Sequence, residues 1–81
     1  MARKPVDVIV GARLAAVRKA RNLSLSQLAS VLGTTESRVR RYEAGTTRIS
    51  SAHVIELCQF FQIRITDLFP NSDPGQDPML H

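Results

Sequence analysis

The sequence predicts an all-α domain of about five helices, on three observations: apolar residues recur at helical spacing in separate stretches, capping and stop residues bracket those stretches, and no strand-like alternation occurs. At 81 residues the chain supports one small core, burying roughly 60% of the surface its unfolded form exposes.

Residues 1–6, with Arg3, Lys4 and Pro5, read as a basic arm, and the domain proper spans 7–70. Asp7 is placed to cap a first helix over 8–20, where Val10, Leu14 and Val17 fall at i, i+4 and i+7. Gly11 weakens its first turn slightly, and Asn22 suits a left-handed stop. Ser24 and Gln27 have the spacing of a capping box, in which each side chain satisfies the other's backbone amide. Leu25, Leu28, Ala29 and Leu32 then form an apolar stripe that Gly33 ends. Thr35 caps a third helix over 36–44, closed by Gly45. Two helices joined so closely cannot lie in line, so they cross steeply, with Ala29 leaving room and Gly33 able to take positive φ. Ser50 or Ser51 caps a fourth helix over 52–61, built on Val54, Leu57, Cys58 and Phe61. Thr66 caps a last short turn whose Leu68 and Phe69 fold onto the core before Pro70 stops it. Residues 71–81, polar and broken by Pro74 and Pro78, read as a disordered tail.

Charge is unevenly spread along the chain. From Arg13 to Arg48 eight basic residues face only Glu36 and Glu43, a balance of +6, whereas Ile49 to His81 carries −3. Such asymmetry points to a polyanion met by one part of the domain.

The patterns VGARLAAVR, LxxLAxxLGTTxSxVxxYEAGTxRI and ELxxFFxIxxxDLF, covering Val10 to Phe69, resemble the XRE (Cro and phage-repressor type) family of helix-turn-helix regulators. The opening VDVIVGAR and the centre YEAGTTRI are similar to those of its short alphaproteobacterial members. The resemblance implies a lambda-repressor-like domain that binds double-stranded DNA in a sequence-specific way, the second helix of the motif entering the major groove.

By that correspondence Glu36, Ser37 and Arg41 read base edges, and Arg38 and Arg40 lie nearer phosphate. Arginine can grip guanine O6 and N7 together, glutamate can accept from cytosine N4, and serine is permissive. Intrahelical pairing with Glu36 or Glu43 is the alternative for the three arginines. Ser24, Thr35, Thr46, Thr47 and Arg48, beside helix N-termini, are the further phosphate candidates. The family usually carries a phosphate-gripping glutamine at the position of Leu25; here Gln27 stands two residues later. Arg18 and Glu43 match a pair that in the family bridges the first helix and the end of the recognition helix.

Ile55, Phe60, Ile63 and Ile65 exceed what one helical stripe can bury, which suits a two-fold dimer reading a near-palindromic site. Ile63 and Ile65 could equally complete the core around Leu68.

Cys58 alone can form neither an intramolecular disulfide nor a thiolate-rich zinc site, and it reads as a packed small hydrophobe. His53 reads as solvent-facing or as a weak phosphate contact, and His81 lies on the tail. No metal constellation and no nucleophile with a base and an orienting acid are evident, so an enzyme is not expected. No cofactor or small-molecule ligand is expected either, because no sensing domain follows the motif. The longest apolar runs are too short for a membrane span, and the N-terminus lacks a signal-peptide core, so the expected location is the cytoplasm, at the nucleoid. Repression would need only the DNA-binding surface; activation would need one more, toward RNA polymerase. An antitoxin, or an adaptor that uses this fold to bridge proteins, is the alternative to a regulator.

Overall fold

In a computed structural model, which describes residues 6–69, the chain folds as α1 (Val6–Ala20), α2 (Leu25–Leu32), α3 (Glu36–Ala44), α4 (Ser51–Phe61) and α5 (Ile65–Leu68). No strand occurs among the described residues. Residues 1–5 of the expected arm at 1–6 lie outside them, as do Pro70 and the expected tail at 71–81.

Local signals set most boundaries. Ser24 Oγ accepts from the Gln27 amide at 3.0 Å while Gln27 Oε1 accepts from the Ser24 amide at 2.8 Å, a complete capping box. Gly33 and Gly45 close α2 and α3 in the left-handed region, at φ 65° and 79°. Thr35 Oγ1 and Ser50 Oγ cap α3 and α4, so Ser50 rather than Ser51 starts the fourth helix. Asn22 takes φ 58°, as a left-handed stop should.

Two boundaries depart from expectation, those at Asp7 and Thr66. The chain is already helical at Val6, which puts Asp7 within the first turn rather than at the cap. α4 ends at Phe61, the expected end, with Gln62 taking the left-handed conformation at φ 57°. Thr66 is inside α5, whose start is stabilised instead by Asp67 Oδ2 accepting from the Arg64 amide at 2.9 Å.

Val10 and Leu14 of α1, Leu28, Ala29 and Leu32 of α2, Val39 and Tyr42 of α3, Val54, Leu57 and Phe61 of α4, and Leu68 of α5 form one core. Each fully buried leucine in it stabilises the fold by about 1.5–3 kcal/mol. The helices approach tightly at Gly11, where a Cβ would run into the Tyr42 carbonyl oxygen and lie 2.6 Å from that of Glu43. Gly11 is therefore the point at which α1 crosses the backbone of α3, a role beyond the slight loss of helix propensity expected of it.

Candidate nucleic-acid interface

With Val39 and Tyr42 facing inward, Glu36, Ser37, Arg38, Arg40 and Arg41 are left on the solvent side of α3. These long side chains are partly organised among themselves. Arg40 Nη2 lies 3.2 Å from Glu36 Oε2, and Arg41 Nη2 donates to Ser37 Oγ at 3.2 Å, each one turn back. Arg38 has no side-chain hydrogen bond among the described residues.

The flanking hydroxyls are engaged only as acceptors at the caps. Ser24 Oγ takes the Gln27 amide and Thr35 Oγ1 the Arg38 amide, which leaves each O–H proton available to an anion. Gln27 is occupied with its cap, and Leu25 packs against the core, so neither supplies the glutamine contact usual for the family. After Gly45, Thr46 donates its hydroxyl to the Arg41 carbonyl at 3.4 Å, Thr47 is half-buried, and Arg48 extends into solvent, where its Nε lies 3.2 Å from Asp7 Oδ1.

The angle of α3 is held from behind. Arg18 Nε and Nη2 donate to the two Glu43 carboxylate oxygens at 2.6 and 3.1 Å, and Nη1 donates to the Leu23 carbonyl at 2.8 Å. One guanidinium thus ties α1 to the turn before α2 and to the end of α3. Both side chains are nearly buried, 11% and 12% exposed, and the hydrogen bond to Glu43 raises the Arg18 pKa against the opposing effect of burial. A second tie was not foreseen: the hydroxyl of buried Tyr42 lies 2.8 Å from His53 Nδ1, so His53 is anchored to α3 and is not simply solvent-facing.

Two more arginines of the basic segment are structural. Arg21 Nη2 donates to the Phe61 carbonyl at the end of α4 at 2.9 Å, and its guanidinium sits 5.2 Å from the Phe61 ring centroid. Arg13 Nη1 reaches the Asp67 carbonyl at 3.3 Å. Nothing local in sequence marks these two, because their partners lie 40 and 54 residues away.

On α4 and α5, Ile55, Phe60 and Ile65 remain 57%, 45% and 51% exposed, while Ile63 packs against the core. Ile55 and Ile65 border an open apolar groove of about 400 Å³, shared with Ile49, Val54 and Phe69. Cys58 is half-buried, and burial, aided by the Asp67 charge, pushes its thiol pKa up, away from reactivity. Among the described residues no cluster of histidine, cysteine or carboxylate side chains could hold a metal, and no helix is long and apolar enough to cross a membrane.

Residues 14–68 match the helix-turn-helix family HTH_3, the group of XRE-type Cro/C1 regulators. The chain belongs to this family. Among solved structures, this HTH_3 domain is similar to the restriction-modification controller protein C.AhdI from Aeromonas hydrophila, at 32% identity and TM-score 0.70, over 76% of this chain and 94% of that one. The clp gene regulator ClgR from Corynebacterium glutamicum shares the fold at 20% identity and TM-score 0.74, over 82% and 86%. Antitoxin PezA of Streptococcus pneumoniae is 27% identical over 90% of this chain, which spans only 43% of that relative's length. DNA binding in transcription regulation is the family's activity.

Proposed function

We propose that the chain is a cytoplasmic, sequence-specific regulator that inserts α3 into the major groove of double-stranded DNA. Glu36, Ser37 and Arg41 read base edges. Arg38, Arg40 and Arg48, with the hydroxyls of Ser24, Thr35 and Thr47, hold phosphates, and Thr46 joins them by turning its hydroxyl away from the Arg41 carbonyl. The observation that carries this reading is the five-residue polar face of α3, solvent-exposed yet braced from behind by Val39, Tyr42 and the nearly buried Arg18–Glu43 pair. Two copies, joined through the apolar face of Ile55, Phe60 and Ile65, with Ile63 beneath it, present their recognition helices to the halves of a near-palindromic site. RNA polymerase is a further partner only if the protein activates.

The controller role of C.AhdI supports a regulator, and the likeness to PezA supports an antitoxin as a second reading. Selection from a random duplex library at physiological salt tests the first. The expected result is a defined site with two-fold symmetry. Enrichment of no sequence would instead support a protein-bridging adaptor, and recovery of a single half-site would remove the dimer. Stable co-purification with the product of an adjacent toxin gene would favour the antitoxin.

A further inference from the structure

We infer that Asp7 is a built-in competitor for the phosphate that Arg48 would grip, an internal carboxylate that lowers affinity for DNA of any sequence. The inference rests on the proposed placement of the loop after α3 against the DNA backbone.

The two partners differ in how firmly they are held. Asp7 belongs to the first turn of α1, and that turn is wedged against the end of α3: a Cβ on Gly45 would lie 2.6 Å from Val8 Cα. Its side chain is only 26% exposed. Arg48 is 82% exposed, and the Nε contact to Asp7 Oδ1 at 3.2 Å is its one side-chain bond among the described residues. A fixed acid therefore faces a freely extending cation. A phosphate approaching Arg48 meets a guanidinium already partly neutralised and a carboxylate of its own sign beside it, and both effects oppose binding.

Were Asp7 instead a buttress that aims Arg48 at the phosphate, the opposite would hold and its removal would weaken binding. Asparagine keeps an oxygen that can accept from Nε without the charge, whereas alanine removes both, so the two variants separate charge from positioning.

The test measures binding of a mixed-sequence duplex across a salt series for the parent, Asp7→Asn, Asp7→Ala, Arg48→Ala and the Asp7→Asn/Arg48→Ala double variant. Melting curves confirm that each is folded at the binding temperature. Asp7→Asn and Asp7→Ala should both bind about two- to fivefold tighter at low salt, the size of one exposed ion pair. The gain should shrink as salt rises, and at least half of it should be lost without Arg48, the remainder being the direct repulsion of phosphate by the carboxylate. Unchanged or weaker binding by Asp7→Asn, or a gain undiminished in the double variant, overturns the inference. Parent-like binding by Arg48→Ala removes the phosphate role of Arg48 itself, and the inference with it.

Discussion

Arg41 and Glu43 lie two residues apart on α3 and do opposite work. Arg41 points outward and is steadied by Ser37 one turn earlier, so its remaining N–H groups can meet guanine O6 and N7 together. Arg41→Ala should cost about 1–3 kcal/mol of binding and relax preference at one base position. Competition among single-base variants of the selected site measures this, and a loss uniform across all of them would make Arg41 a phosphate contact. Glu43 points inward. Its removal leaves Arg18 nearly buried with only the Leu23 carbonyl to answer it, so Glu43→Ala should destabilise the fold by about 3 kcal/mol. That corresponds to a fall in melting temperature of more than about 10 °C in a domain of this size, and equal midpoints would refute the brace. The arginine side of the pair adds no pH dependence near neutrality. Its pKa is raised, so its stabilisation is complete below the unfolded value and is lost only as pH climbs through the still higher folded one.

At the scale of helices, what could be read from sequence was what is encoded locally. The Ser24–Gln27 box, the Thr35 cap and the stops at Asn22, Gly33 and Gly45 each depend on residues within one turn of each other, and each is where the pattern puts it. Gly11 escapes a local reading for the complementary reason. Its function depends on the Tyr42 and Glu43 carbonyls of α3, which no helical periodicity in α1 can announce. The same holds for His53, whose partner Tyr42 lies on another helix, and for Asp7, whose first-turn position hides a contact to Arg48. The two glycines make a direct test of this distinction. Gly11→Ala must push whole backbones apart and should cost about 2 kcal/mol despite alanine's better helix propensity. Gly33→Ala meets no atom within 4 Å and pays only for positive φ, about 1–2 kcal/mol. Thermal unfolding measures both costs, and a DNA-binding titration should show Gly11→Ala, and not Gly33→Ala, weakening binding, because only the former shifts α3 against α1. Parent-like stability of Gly11→Ala would mean that the crossing can relax.

For the whole molecule, the +6 balance between Arg13 and Arg48 overstates the charge available to DNA. Arg13 and Arg21 spend their guanidinium groups on the ends of α5 and α4, and Arg18 is neutralised within the fold. The proposed phosphate contacts are then those around α3 and the following loop, chiefly Arg38, Arg40 and Arg48, with exposed Lys19 on α1 apart from them. Salt dependence counts phosphate contacts at about 0.9 unit each, so it separates the two groups where sequence charge cannot. Arg38→Ala and Arg48→Ala should each flatten the logarithmic salt slope of binding by roughly one unit and leave the melting temperature close to that of the parent. Arg13→Ala and Arg21→Ala should leave the slope unchanged; Arg21→Ala should lower the melting temperature, because the Phe61 carbonyl and ring lose their partner. A flattened slope for Arg13→Ala or Arg21→Ala would extend the DNA-facing surface across α1 toward α4 and α5. That surface would then overlap the apolar face assigned to the second copy, and the two roles would compete for the same side of the domain.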